Sequence, residues 1–316
     1  MVAAPKRTNG PLNSRGGVVR AVRYSEFGPA GVLRVEEVPD PVPGPGQVPV
    51  RVTAIGLNYG ETVIRSGAAG RVVPWFDLRP GAFNAEVVGV TDDGRRLIGY
   101  SAEGYAELGL LPEDAVEVPD GVSDHEALAL HLQGTTALRA VEQARVAAGE
   151  RVLVEAAAGG VGSLAVQLAR RAGAVVVAAA RGRRKLELAR ELGAHEVVDY
   201  GEPDWTAGVE PVDVVLSSSG REIARQSFEL LRDDVGRLVL FGFASGEPVD
   251  ITANDVYRKH VAVIGLFNPL DPDDLRRLFA LDLKPVLGES LPLADAARGH
   301  ELLEGRATTG KLVLVP

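Results

Sequence analysis

The apolar positions of this chain change period along its length, and the changes mark out its elements. Val18 to Tyr24 and Val32 to Val38 alternate like half-buried strands, joined through the turn Phe27-Gly28-Pro29, and the loop Pro39 to Gly46 leads into a third strand, Val48 to Ile55. From Asp124 the spacing turns helical, over Asp124 to Leu132 and Gly134 to Ala144. A strand from Arg151 to Ala157 then runs into Ala158-Gly159-Gly160-Val161-Gly162, after which Val161, Leu164, Ala165, Leu168, Ala169 and Ala172 recur at helical spacing. Strands at Val175, Val197, Val212 and Arg237 alternate with helical stretches, and His260 to Leu266 supplies a sixth. That alternation predicts a doubly wound parallel sheet, an α/β domain following a strand-rich one. A helix around Asp273 to Ala280 and a strand at Lys311 to Val315 close the sequence, and the final strand is expected to return to the first domain.

The glycine turn carries chemistry as well as shape. Its glycines let the backbone bend sharply, and the helix that follows aims unpaired N–H groups and the positive end of its dipole at one point. A strand before it and a second apolar strand after Gly173-Ala174 form the context in which such a turn holds the pyrophosphate of a dinucleotide. At the end of that second strand an NAD site places an acidic residue for the ribose 2'-hydroxyl. Here the chain reads Ala180, Arg181, Gly182, Arg183, Arg184, Lys185, with no carboxylate before Glu187. Cations are unfavourable near a helix N-terminus, so their concentration calls for an anion. A 2'-phosphate supplies it, and NADPH is the expected cofactor.

Composition sets limits on the rest. With 316 residues and 46% hydrophobic content the chain allows two globular domains with a sizeable core. Its net charge of -9, with no basic patch interleaved with aromatics, argues against a nucleic-acid partner. No apolar run reaches membrane length, and the start MVAAPKRTNGPLNSRGG lacks the apolar core of a signal peptide. Residues 1–17 are therefore expected to be a disordered extension of a cytoplasmic protein. The chain has no cysteine, which removes disulfides, thiol nucleophiles and thiolate metal sites. Its five histidines, His125, His131, His195, His260 and His300, are scattered, so no metal site is expected.

Five segments together carry a resemblance to a family: AVRYSEFG at 21–28, GLNYGETVIRSG at 56–67, LQGTTAL at 132–138, AAAGGVGSLAVQLA at 156–169 and GRATTGKLVL at 305–314. From Val19 on, the chain resembles the zinc-independent medium-chain dehydrogenases/reductases, the group of quinone oxidoreductases and enoyl reductases. The resemblance implies a GroES-like catalytic domain formed by residues 18–123 and 268–316, around a Rossmann domain at 124–267. It also implies a homodimer paired through the edge strand at 260–266. By the same likeness Ala158, Gly159, Gly160 and Val161 hold the pyrophosphate, and Arg181, Lys185 and Tyr200 surround the 2'-phosphate. Thr136 lies near the nicotinamide, with Phe241, Gly242 and Phe243 and then Leu266, Phe267 and Asn268 forming the wall beyond the fifth and sixth strands. Lys311 has two readings, a solvated lysine at a strand end, which is preferred, and a side chain that reaches the cleft.

Hydride transfer without a metal suits an acceptor carbon conjugated with a carbonyl, because the charge delocalises onto oxygen and a hydrogen-bond donor is enough to hold it. The expected substrate is a conjugated carbonyl compound or a quinone. Asn58 of the family's GxNxxx motif and the adjacent Tyr59 are expected to stabilise the oxyanion, with Tyr59 or water giving the proton. Two phenols usual in the family are replaced by Val63 and Ala69. The divergent segment that follows offers Trp75, Phe76 and Phe83, which either line an aromatic pocket, the preferred reading, or pack in the core. The leading reading is reduction of an enone or enoyl double bond, with quinone reduction second and a catalytically idle, crystallin-like NADPH-binding protein as the reading from another class.

Overall fold

A computed structural model describes Leu12 and residues 16–72, 79–242, 244–266, 270–306 and 308–316. The first domain opens with the antiparallel pair β1 (Val18–Arg23) and β2 (Arg34–Pro39). The long strand β3 (Gln47–Leu57) then leads into α1 (Tyr59–Arg65) and the short α2 (Ala69–Val72). Strands β4 (Ala85–Val90), β5 (Arg96–Ser101), β6 (Leu108–Pro112) and β7 (Val116–Glu117) complete this stretch. Leu12, inside the expected disordered extension, is buried with β1 and β6 and donates its N–H to the Asp92 carboxylate at 3.0 Å. The rest of residues 1–15 lies outside the described residues.

From Asp124 the chain does not form two separate helices. It runs as α3 (Asp124–Leu128), a wide π turn over Ala129–Gly134, and α4 (Thr135–Gln143), with no break between them. Such a turn is a common functional device, because the extra residue swings side chains off the helical stripe. Here it directs His131 and Gln133 into the interior.

The second domain follows. Its elements are β8 (Arg151–Val154), α5 (Gly160–Arg171), β9 (Val175–Ala180), α6 (Arg183–Glu191), β10 (Glu196–Asp199), β11 (Val214–Ser217), α7 (Arg221–Glu229), β12 (Arg237–Leu240), α8 (Ala253–Lys259) and β13 (Ala262–Gly265). Six parallel strands lie in the order β10-β9-β8-β11-β12-β13, so the winding reverses between β8 and β11. A crevice at the carboxyl ends of the strands forms at such a reversal. The sheet is buried because nearly all its residues are apolar: Val152, Leu153, Val154, Val176, Val177, Val214, Val215 and Leu216 are fully enclosed. Leu164, Ala165, Leu168 and Ala169 bury the apolar stripe of α5 against it, each leucine contributing about 1.5–3 kcal/mol. The outer strand β13 exposes Val263, with Tyr257 and Val235 exposed nearby. His260 belongs to no strand, since its left-handed backbone (φ 52°) closes α8.

The chain then forms α9 (Pro272–Phe279), β14 (Leu287–Pro292), α10 (Ala296–Glu304) and β15 (Lys311–Val315). Helix α9 packs Leu275 and Leu278 into the core shared with α4 and the π turn. Strand β15 pairs antiparallel with β3 and parallel with β14. The C-terminus therefore returns to the first domain, whose main sheet runs β14-β15-β3-β4-β5-β7.

Candidate active site

Between β8 and α5 the turn has the geometry its glycines predict. A Cβ on Gly162 would lie 2.3 Å from the Ala156 carbonyl oxygen, so glycine there is what lets the helix approach the strand; a Cβ on Gly160 would lie 2.8 Å from Gln133. Gly159 caps α5 with extended backbone, and the first amides of the helix, from Gly160 and Val161 on, have no acceptor ahead of them in the helix. Glu155, fully buried below the turn, accepts from Ser217 Oγ and Ser219 N at 2.9 Å each and ties β8 to β11. Phe241, Gly242 and Leu266 follow the carboxyl ends of β12 and β13, with Leu266 donating its N–H to Leu240 O at 2.8 Å. Phe243, Phe267 and Asn268 lie outside the described residues. Thr136, in the first turn after the π segment, is buried.

A cluster of cations forms where the sequence places it. Burial and the neighbouring Arg181 push the Lys185 ammonium down, and Tyr200 stands beside Arg181 and Arg306. Arg183 is diverted to Glu187 on its own helix at 2.8 Å. Arg306, which sequence reasoning missed, comes from the other end of the chain. Its guanidinium donates to Ala244 O, and its carbonyl accepts from Lys185 Nζ at 2.8 Å. Four residues further on, Gly310 bridges Gly159 and donates its N–H to Ala158 O at 3.2 Å. Arg306 and Gly310 therefore hold the nucleotide domain at three points, and Lys311 follows beside the glycine turn. The family motif GRATTGKLVL was the one sequence signal for this segment.

Lys311 is not solvated: it is 2% exposed and forms the centre of a buried polar network. Its Nζ pairs with Glu86 Oε1 and donates to Asn58 Oδ1 at 2.9 Å. Gln133 Nε2 donates to the same Asn58 oxygen at 2.6 Å. The Asn58 amide nitrogen donates to Glu86 Oε1 at 3.0 Å and to Glu61 Oε1 at 3.3 Å. Asn58 was expected to donate to an oxyanion, but both its N–H hydrogens are committed to carboxylates, so it serves as the hub of this network. His131 Nδ1 lies 2.9 Å from Glu86 Oε2, and the Tyr105 hydroxyl bridges Glu61 Oε2 at 2.7 Å and His300 Nε2 at 3.1 Å. Tyr59, the first residue of α1, is half-buried beside this network, and no hydrogen bond to its hydroxyl forms among the described residues.

Phe83 is 2% exposed, stacks on Tyr24 with ring centres 5.0 Å apart and meets Tyr105 at 4.6 Å with the rings tilted, so it is a core aromatic rather than a pocket wall. Its alternation with buried Ala85 and Val87 points it inward. Trp75 and Phe76 lie outside the described residues.

Two buried carboxylates share the single ammonium of Lys311, and their charges separate. Burial would raise Glu86, but Lys311 and His131 outweigh it and hold the group at about 2. Burial raises Glu61 to about 7, with the negative Glu86 adding to the shift. Burial also keeps His300 neutral, lowered to about 3. An unfolded chain sheds the Glu61 proton near its ordinary value of 4.5 while the folded one keeps it, so this site's contribution to stability falls as pH rises from about 4.5 to about 7. Glu61→Gln should flatten the pH dependence of the melting temperature over that window and raise it at pH 8. Thermal melts across pH check this, and an unchanged slope would refute it.

No group of three or more His, Asp and Glu side chains among the described residues has the arrangement of a metal site, and the buried carboxylate of Glu86 is occupied by Lys311. A family model described as a zinc-binding dehydrogenase nevertheless matches residues 160–283, the nucleotide-binding part. The chain is 33% identical to a quinone oxidoreductase of Mus musculus over 94% of this chain and 98% of that protein. It is 32% identical to a 2-haloacrylate reductase of Burkholderia sp over 95% of this chain and 99% of that one. Its fold superposes on the Escherichia coli quinone oxidoreductase complexed with NADPH with a TM-score of 0.82 at 28% identity, covering 94% of this chain and all of the other. With its Rossmann crevice, returning C-terminal strand and cysteine-free catalytic domain, the chain belongs to the quinone oxidoreductase group of the zinc-independent medium-chain dehydrogenases/reductases.

Proposed function

We propose that this NADPH-dependent oxidoreductase reduces a carbon–carbon double bond conjugated with a carbonyl. The observation that carries the reading is the position of Lys311, which brings a buried cation and the Asn58 hub, next in the chain to Tyr59, to the edge of the glycine turn. The cofactor fits the chain's own residues: Gly159, Gly160 and Val161 offer amides to its pyrophosphate, and Arg181, Lys185, Tyr200 and Arg306 surround a place for its 2'-phosphate. NADPH supplies the hydride when bound. In this reading Tyr59 donates a hydrogen bond to the carbonyl oxygen as charge grows there, and Asn58, Glu61, Glu86 and Gln133 brace one another behind it. Tyr59→Phe should slow turnover about 10²-fold, with NADPH affinity unchanged. An unaltered rate would remove the phenol from the chemistry.

Quinone reduction is the second reading, favoured by the relatives named quinone oxidoreductases. Following NADPH and NADH absorbance with quinones, small enones, enoyl thioesters and polycyclic enones separates the two. Tight NADPH binding with no turnover of any acceptor would leave the chain an idle NADPH-binding protein. The exposed edge of β13, with Val263 open to solvent, supports pairing of two copies through that strand, because an unpaired apolar edge is a liability in a monomer. No helix among the described residues is long and apolar enough to cross a membrane.

A further inference from the structure

His131 stands between the buried network and a second opening in the molecule. A cavity of about 270 Å³ has Tyr100, Asp114, His131, Thr135, Asp271 and Leu275 in its wall. On its inner side the His131 ring places Nδ1 2.9 Å from Glu86 Oε2, and the other oxygen of Glu86 pairs with Lys311. Leu132 N also donates to Oε2, at 3.2 Å, so that oxygen acts as an acceptor. A carboxylate accepting at Nδ1 fixes the proton there and leaves the lone pair on Nε2 for water in the cavity. No hydrogen bond to Nε2 forms among the described residues, and the Tyr100 ring, 5.4 Å away at 42°, steadies the imidazole. His131 is in this position because of the π turn, and a regular helix would turn it away.

We propose that His131, Glu86 and Lys311 form a proton relay from the water of this cavity to the buried end of the cleft. The relay rests on the reductase reading above, in which each turnover consumes one proton. Hydride addition to the β carbon leaves an enolate. Lys311 Nζ gives the α carbon a proton, forming the second C–H bond and leaving a neutral amine. His131 Nδ1 passes a proton to Glu86 Oε2 as Nε2 takes one from the cavity, and a half-turn of the carboxyl group presents it to Nζ. One proton enters at Nε2 for each that leaves on the product; the imidazole then turns toward the cavity, where water takes the Nε2 proton and returns one to Nδ1, so the three side chains end with the protons they began with. Quinone reduction would use the same supply, with oxygen in place of the α carbon.

Two substitutions separate a relay from a merely structural role. His131→Gln keeps an N–H donor for Glu86 but cannot carry a proton, whereas His131→Ala opens the cavity wall. Both should lower kcat about 10-fold or more and raise the solvent isotope effect, with the Kd for NADPH unchanged as the check that the fold is intact. Added imidazole should restore the Ala variant. A wild-type kcat in the Gln variant, or an Ala variant that imidazole does not rescue, overturns the relay. A readout independent of turnover is ¹⁵N NMR of the histidines in the ligand-free protein, which should show His131 protonated on Nδ1; a proton on Nε2 with Nδ1 bare also overturns it. Wild-type protein that reduces no acceptor sinks the reductase reading instead, and the two failures are told apart.

Discussion

Lys311→Met is expected to destabilise the protein by about 3–5 kcal/mol at pH 8, the cost of leaving a buried charge without its partner. Glu86 is 0% exposed and Lys311 2%, so neither is relieved by water. With the ammonium gone, Glu86 keeps only its neutral donors, from His131, Leu132 and Asn58, and burial then drives its carboxyl up from about 2. The loss should therefore shrink as pH falls through the carboxylate range, where a proton can neutralise the group in the folded state. The double variant Lys311→Met with Glu86→Gln, in which both charges are removed, should recover most of the stability, since replacing a buried pair outright is far less costly than breaking it. Urea unfolding at pH 5 and pH 8 measures both effects. A single variant within about 1 kcal/mol of wild type at pH 8 would mean that water reaches the pair.

Replacing Arg181 and Lys185 together by alanine should raise the Kd for NADPH about 10³-fold and leave NADH binding unchanged. Both cations border the space beside Tyr200, and Lys185 is held there by the Arg306 carbonyl. A dianionic phosphate gains charge-assisted hydrogen bonds from both, and a ribose hydroxyl cannot use them in the same way. The effect should weaken at high salt, because Arg181 is exposed. Equal losses for the two nucleotides would place the cations elsewhere, and a preference for NADH in the wild type would overturn the assignment. Fluorescence titration with each nucleotide distinguishes these results.

The parallel sheet was legible because its strands are buried on both faces and so read as unbroken apolar runs between helical stripes. Boundaries there shift by a residue or two: the expected Arg151 to Ala157 is observed as Arg151–Val154, with the rest given over to the turn. The return of Lys311 to Val315 was legible from its strand pattern, and the structure pairs it with β3. The π turn was not. Local spacing on either side of Gln133 suggested two helices with a break, and the wide turn is made by backbone hydrogen bonds reaching five residues along the chain, which leave no side-chain periodicity to detect. Phe83 was misread for a related reason, since an aromatic in a loop looks the same whether it faces a cleft or the stack of Tyr24 and Tyr105.

By itself the sequence determined the dinucleotide turn, the run of cations after the second strand of the parallel sheet and the absence of thiolate ligands. Each of these rests on neighbours in the chain or on composition, and local chemistry is enough to read them. Only the tertiary structure decided what Lys311, Glu86, His131 and Arg306 do. These residues come from β15, β4, the π turn and the segment after α10, and a lysine's solvation or a carboxylate's charge depends on what lies across the fold. A residue separated from its partner by 225 positions carries no local mark of the pairing, and burial alone turned an apparent surface lysine into the cation at the centre of the site.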